Sequence, residues 1–363
     1  MKSKIKYILS NFIKFILDFN LATVIRLFHI GIAFINDWIQ QRKYTIDPFL
    51  IKEKESGLHN TYDPIWDSSI IYPRQTVGVL SYNKLCNVED FRHPDLVPWL
   101  REIYSHEISR FGAKYPLDFE DRRQWEIAMT IRTFNDHGIL NDQSQILGVG
   151  AGNEPTIFYL TKRVKRVFST DLYFPLEKNW AEADVSMLRD PGANWPFPWN
   201  PKRLVTQHMD GRSLMYENES FDGVFSSGSI EHFGSLNQIQ QSVSEIYRVL
   251  KPGGIMAIAT EFKIDGPGIG LPGTVLFTPE LIQERIIGKL SWKALSPFDY
   301  ELSETTRKTE LLQTVAMKAF RNHVRKHKRL LYHKYIQAKY PIILMRDDPF
   351  KWTSVTIALR KEA

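Results

Sequence analysis

Gln145-Ile-Leu-Gly-Val-Gly-Ala-Gly-Asn-Glu-Pro155 is the stretch from which the fold is read. A short apolar run enters Gly148, Gly150 and Gly152, and Pro155 opens the amphipathic segment Thr156-Ile-Phe-Tyr-Leu-Thr161. That order predicts a strand, a glycine turn and a helix start. Glycine permits backbone conformations that a Cβ would block and lets a ligand lie against the main chain. Proline suits the first helical position, where its missing N–H costs nothing. Taken alone, the motif also fits an ordinary strand-to-helix connection. Its spacing says more: a G-x-G-x-x-G dinucleotide fingerprint starting at Gly148 puts its third glycine at 153, where this chain has Asn153. Here the third glycine comes one residue earlier.

Working outward, Val164-Lys-Arg-Val-Phe-Ser-Thr-Asp171 reads as a second strand ending in a carboxylate, placed where a ribose diol would be gripped. A helix is expected over 181–188, then a loop stiffened by Pro191, Pro196, Pro198 and Pro201. Arg203 to Asp210 is a third strand ending in an acid, and Ser220 to Ser227 a fourth. Ile239, Val243, Ile246 and Leu250 mark a helix, and Lys251-Pro-Gly-Gly254 turns into a fifth strand, Ile255 to Glu261. Strand and helix alternating in this way predict a parallel, doubly wound α/β sheet. Upstream, Asp118 to Asp136 forms a helix ended by Gly138 and packed beside the first strand. Downstream, Thr278 caps a helix with Pro279 at its first position, and a longer helix is expected across 306–338. Tyr340 to Met345 and Trp352 to Leu359, joined by an Asp-Asp-Pro turn, form an antiparallel hairpin.

The G-x-G-x-G loop, Asp171, Asp210, Phe221-Asp-Gly-Val-Phe-Ser-Ser-Gly-Ser-Ile-Glu-His232 and Arg248-Val-Leu-Lys-Pro-Gly-Gly254 occur in that order. Together they resemble the small-molecule, type 11 branch of the class I S-adenosylmethionine-dependent methyltransferases, continuously from about residue 120 to 262. The resemblance implies a Rossmann-like, mostly parallel seven-stranded sheet whose last strand is antiparallel, preceded here by a helical N-terminal extension. It implies S-adenosyl-L-methionine as cofactor. Gly148, Gly150 and Gly152 would lie beside its methionine and ribose, Asp171 on the ribose hydroxyls, Asp210 or its neighbours at the adenine, and Ser226 and Ser227 along the cofactor floor. One departure is Ile146, where the family usually carries an acid two residues before the first glycine.

His232 is the candidate general base, by residue type and by its place on the loop leaving the fourth strand, where ligands of such sheets bind. A hydroxyl acceptor needs a base, because an unactivated alcohol is a poor nucleophile. The alternative for His232 is a structural histidine capping the next helix. Glu231, its neighbour, is the second catalytic candidate. No His or carboxylate spacing indicates a metal, and none is expected.

Composition bounds the rest. The 363 residues are 43% hydrophobic and 13% aromatic, enough for a large core and against wholesale disorder. The single cysteine, Cys86, excludes an intrachain disulfide and fits a reducing compartment. The net charge of +6 is local: Lys318, Arg321, Arg325, Lys326, Lys328, Arg329, Lys334 and Lys339 fall in a stretch without acids, and the remainder is net acidic.

Residues 1–43 read as an amphipathic helical arm, with Leu21, Val24, Ile25, Phe28, Ile32, Ile35 and Ile39 at helical spacing. Lys14, Asp18, Arg26 and Asp37 interrupt the apolar run too often for a membrane span or a signal peptide. The arm would lie on a membrane, pack on a partner, or pack on the protein's own core. The expected organisation is the arm at 1–43, an accessory or lid segment at 44–118, and a methyltransferase domain at 119–363 with its cofactor core at 140–262.

The arm and the basic segment suggest a cytoplasmic enzyme held peripherally at an anionic membrane, methylating a sugar hydroxyl of a small-molecule or lipid-linked glycan acceptor in envelope polysaccharide synthesis. Nucleic acid is the weaker alternative, since Ser-Ser-Gly-Ser stands after the fourth strand in place of the Asn-Pro-Pro-Tyr or Asp-Pro-Pro-Tyr of base-amino methylating enzymes. A non-catalytic relative that keeps only the fold is the third reading. The oligomeric state is not legible.

Overall fold

The computed structural model describes residues 78–117, 119–174, 183–312 and 341–362. The chain divides between His59 and Asn60, and every described residue belongs to the second unit. The expected arm at 1–43 and the basic run from Lys318 to Lys339 lie outside the described residues.

The central sheet contains β1 (Gln145–Val149), β2 (Arg166–Asp171), β3 (Leu204–His208), β4 (Phe221–Ser227), β5 (Leu250–Asp265), β6 (Trp292–Ala294), β7 (Leu311–Leu312), β8 (Met345–Asp347) and β9 (Phe350–Lys361). Their order is β7-β8-β9-β5-β4-β1-β2-β3, with β6 paired to β9 off that path. Strands β1 to β5 are mutually parallel. Strand β9 runs antiparallel to β5, and β8 antiparallel to β9. The expected mostly parallel sheet with its C-terminal antiparallel hairpin is therefore present, widened by the short β6 and β7. Gly148 of β1 lies between Ser169 of β2 and Phe225 of β4.

Two expectations fail at particular places. Between β2 and β3 the described residues form only short 3-10 turns, Val185–Leu188, Pro191–Asn194 and Pro201–Arg203, and no helix joins β3 to β4. The helix expected over 181–188 is, in its described part, one 3-10 turn opened by Asp184, which accepts from Ser186 N at 2.8 Å, and the prolines from Pro191 onward, lacking amide donors, keep the chain beyond it from turning helical. The helix expected across 306–338 is helical only at Glu304–Arg307 before the chain turns into β7, where Leu311 and Leu312 pair with Met345 and Arg346. From 313 to 340 it lies outside the described residues.

Helices α1 (Val97–Ile103), α2 (Ser105–Phe111), α3 (Arg122–Asp136), α4 (Pro155–Leu160) and α5 (Leu236–Val249) cover the sheet. Apolar residues alternate between its faces along β1, Ile146 joining the cluster of Trp125, Phe134 and Phe158, and Leu147 and Val149 that of Ile239, Val243 and Ile246. Asp121 caps α3 by accepting from the Arg123 amide, and Gly138, at φ 75°, turns the chain out of it. Instead of lying beside β1, α3 packs across β4, β5 and β9 and is covered by α1. Trp125, Ile131 and Phe134 are fully buried, each worth about 2 kcal/mol by area removed from water. That anchorage lets the same helix carry Arg122 and Glu126 into the interior.

The described part of the accessory segment is bound into this core. Leu85, Cys86, Val88, Phe91, Leu96 and Leu100 are fully buried. Lys84 Nζ reaches Asp90 at 2.5 Å, and Trp125 Nε1 donates to Asp90 Oδ2 at 2.9 Å, so a buried ion pair ties the segment to α3. A pair of this kind is strongly destabilising to break, since the remaining charge would be left uncompensated.

Candidate functional site

The carboxyl ends of β1, β2, β3 and β4 open on a cavity of about 880 Å³, within the range of small-molecule sites. Its walls are the glycine loop, Asp171, Met209 to Arg212, Ser227 to Ser229, His232 to Gly234, and Arg123 and Glu126 of α3. Strand β1 has β2 on one side and β4 on the other, and such a switch point leaves a crevice above the sheet.

The three motif glycines serve different ends. A Cβ on Gly148 would come to 2.6 Å from Phe225 Cζ, so that glycine permits the approach of β1 to β4 and does not line the cavity. Gly150 and Gly152 do line it, at φ 64° and 51°, the left-handed region that favours glycine. Ser229 Oγ donates to the Gly150 carbonyl, and Ala151 N donates to Thr170 O at 3.0 Å, fastening the loop to β4 and β2.

Asp171 lies at the mouth of the loop. Its Oδ2 accepts from Gly152 N at 2.7 Å and its Oδ1 from Leu172 N at 2.6 Å. Each carboxylate oxygen has a second lone pair, so the same group can brace the loop and still accept from a diol. Asp210 also lines the cavity, but both its oxygens are taken by Arg212, at 2.6 to 3.0 Å. Those bonds hold its carboxyl below the ordinary range. Met209 and Gly211 are the adjoining surfaces left for an apolar or backbone contact. The two serines separate: Ser227 lines the cavity, its Oγ buried without a partner, whereas Ser226 is fully buried outside the lining.

His232 stands on the short 3-10 turn Ile230–His232 after β4. Its Nδ1 lies 2.9 Å from the carbonyl of Gly273, on the ribbon formed by Gly270–Leu271 and Thr274–Val275. A carbonyl only accepts, so Nδ1 carries the proton and the ring's lone pair sits on Nε2. The helix-capping alternative falls to another residue, because Ser235 caps α5 in a reciprocal capping box with Gln238. Glu231 points inward: Thr260 donates to its Oε2 at 2.8 Å, and its buried Oε1 is 4.0 Å from His232 Nε2. Burial pushes the Glu231 carboxyl up to about 7, nearby Glu261 adding to the shift and the charges of His232 and Arg123 opposing it.

Charged residues without a motif of their own also build the site. Arg122 Nη1 donates to Glu261 Oε2 at 2.7 Å, and Arg123 bridges Glu126 at 3.0 Å and Glu261 at 2.9 Å. Glu261 ends the apolar run of β5, and an acid at the carboxyl end of a parallel strand was the available signal. The Arg123 guanidinium occupies the space a Cβ on Gly228 would need. Glu154 joins them on the glycine loop itself, with a buried and unpartnered Oε1.

The residues fit S-adenosyl-L-methionine: two glycines with positive φ, an acid against the loop and, on a lining serine, a buried hydroxyl without a partner. Among the described residues, no group of three or more His, Cys, Asp or Glu is placed to hold a metal. No helix among them is long and apolar enough to cross a membrane.

Residues 147–258 match the sequence model of the family described as methyltransferase domain, which spans β1 to β5. Among solved structures, the chain is similar to the [4+2]-cyclase SpnF, at 18% identity, 78% of this chain and 100% of that one, with a TM-score of 0.43. It is similar to phosphoethanolamine N-methyltransferase 2 of Haemonchus contortus, solved with S-adenosyl-L-methionine, at 16% identity, 79% and 61% coverage and a TM-score of 0.41. An S-adenosylmethionine dependent methyltransferase from Mesorhizobium loti aligns at 14% identity, 63% and 95% coverage and a TM-score of 0.38. No curated protein matches the sequence.

Proposed function

We propose that this chain, which carries a class I S-adenosylmethionine-dependent methyltransferase domain, methylates a hydroxyl of a small-molecule or glycan acceptor, with His232 as the base. The observation that carries the reading is His232 itself, a lining residue of the cavity whose Nδ1 lies 2.9 Å from the Gly273 carbonyl, which in the neutral ring leaves the lone pair on Nε2.

The cofactor, when bound, supplies an electrophilic methyl on a sulfonium sulfur. What the chain contributes is position, desolvation and one proton transfer. Gly150 and Gly152 would let the backbone approach the methionine and ribose, and Asp171, which holds the loop, would accept from the ribose hydroxyls. Met209 and Gly211 would flank the adenine end, beside the paired Asp210 and Arg212. Ser227 offers its hydroxyl on the floor, while Ser226 acts only from within the core. Nε2 of His232 would take the acceptor's proton as the acceptor oxygen bonds the methyl carbon and the methyl–sulfur bond breaks, its electron pair staying on sulfur, and the Glu231 carboxylate, when ionised, would stabilise the resulting imidazolium.

The acceptor is proposed to be a sugar hydroxyl of a lipid-linked or envelope glycan, methylated at the cytoplasmic face of an anionic membrane. Support comes from sequence: the apolar stripe of residues 1–43 and eight cations between Lys318 and Lys339. The test combines an acceptor survey with a variant. Wild-type enzyme, methyl-labelled cofactor and a cell-envelope extract should put label into the glycan fraction, and His232→Ala should lower that turnover by roughly 10²–10⁴-fold with cofactor affinity unchanged. Label confined to RNA, or an alanine variant with normal turnover, would overturn the reading.

A further inference from the structure

The methionine end of the cofactor carries an α-ammonium, and a cavity that binds it benefits from a carboxylate oxygen free to accept. Four carboxylates line the cavity among the described residues. Those of Glu126 are held by Arg123 and, through Oε1, by Ser354. Those of Asp171 accept from two backbone amides, and those of Asp210 are taken by Arg212. Glu154 differs. Its Oε1 is buried and has no hydrogen-bond partner. Ile146, where the resembled family carries its acid, is fully buried and apolar and stands outside the lining.

We propose that Glu154 receives the α-ammonium of the cofactor, supplying from the far side of the glycine loop the negative charge that β1 lacks. The proposal rests on the cofactor site described above and assigns its methionine end. The surroundings of Glu154 agree with it. Burial pushes its carboxyl up to about 8. The Thr156 hydroxyl opposes the shift from outside hydrogen-bonding geometry, Glu126 and Asp171 add to it, and the Arg123 charge opposes it. Tyr104 and Tyr173, phenols on the neighbouring segments, also feel its charge. Glu154 is thus held mostly neutral at pH 7 without a cation, and an arriving ammonium would ionise it, so that binding expels a proton.

The test is calorimetric, with two ligands: S-adenosylhomocysteine, which has the amino-acid end, and 5′-methylthioadenosine, which does not. Glu154→Gln should weaken the first by roughly 10- to 100-fold, the range of a lost charge-assisted hydrogen bond, and leave the second unchanged. In wild-type protein, titrations in buffers of different ionisation enthalpy at pH 7 should show nearly one proton released with the first ligand and none with the second. Affinity for S-adenosylhomocysteine should also rise with pH towards 8. This wild-type measurement serves even where the variant does not fold. Equal losses for both ligands, no loss for either, or no proton release would overturn the assignment of Glu154 while leaving the cofactor site standing. Failure of wild-type protein to bind either ligand would instead overturn the site itself.

Discussion

Asp171→Asn isolates the contribution of one negative charge without changing side-chain shape. The carboxylate accepts from Gly152 N through Oδ2 and from Leu172 N through Oδ1. An asparagine has one acceptor oxygen, so whichever way its amide turns, one of these N–H groups meets an NH₂ donor. Hydrogen bonds to a charged group contribute about 1.5–3 kcal/mol each, and the partial exposure of Asp171 favours the lower part of that range, about 1.5–2 kcal/mol. A folded unit of this size changes its melting temperature by roughly 2–4 °C per kcal/mol, so the variant should melt about 3–8 °C lower. Binding should suffer separately, because a ribose diol then faces a neutral acceptor: affinity for S-adenosylhomocysteine should fall by about tenfold or more. Scanning calorimetry and titration calorimetry on the same preparation measure the two effects. Unchanged melting would refute the brace between Asp171 and the loop. Unchanged affinity with lowered melting would confine Asp171 to that structural role.

Two further variants probe the frame of the site. Gly148→Ala puts a Cβ at 2.6 Å from Phe225 Cζ and 2.8 Å from Ala151 Cβ, both core atoms, and should cost roughly 1–3 kcal/mol in urea unfolding; a neutral result would mean that β1 and β4 separate freely. Glu231→Gln addresses pH: a carboxyl raised to about 7 in the fold binds its proton more tightly than in the unfolded chain, so its favourable contribution is full below the unfolded value near 4.5 and is lost as pH rises through 7. Unfolding free energies measured from pH 5 to 8 should therefore decline less steeply in the variant than in the wild type, and parallel curves would show that Glu231 is ionised throughout.

The sequence was informative where function is carried by local geometry. Gly150 and Gly152 had to be glycine for backbone reasons, and their spacing and the apolar run before them were visible in one short window. The β8–β9 hairpin was visible for the same reason, a turn between two apolar runs. What local sequence does not carry depends on contacts between residues far apart in the chain. Glu261 meets Arg122 across 139 positions, and nothing near either residue marks the pairing. Gly148 looked like a ligand contact because motif position does not distinguish a glycine that admits a ligand from one that admits Phe225. Ser226 and Ser227 are adjacent in sequence, but strand alternation sends only one of them towards the cavity. The helix expected across 306–338 does not hold at Leu311 and Leu312, because the edge of β8 captures them as strand and apolar periodicity alone does not show that edge.

The charges around α3 connect stability to the proposed chemistry. Glu126, Glu154, Glu231 and Glu261 share this region with the guanidiniums of Arg122 and Arg123, so ionising every acid would leave negative charge in a poorly hydrated place. The fold avoids this by keeping Glu154 and Glu231 protonated well above their usual range, which makes the ligand-free protein lose stability as pH rises towards 8. On the assignment of Glu154 made above, a bound ammonium offsets part of that loss, and ligand stabilisation, which grows with the ratio of concentration to Kd, strengthens over the same pH interval. Glu231 has no such partner in the cofactor. On the proposed role of His232, 4.0 Å away, the Glu231 charge would be further compensated when that ring takes a proton from an acceptor hydroxyl. The two raised carboxyls would then divide the work, one responding to cofactor binding and the other to acceptor deprotonation.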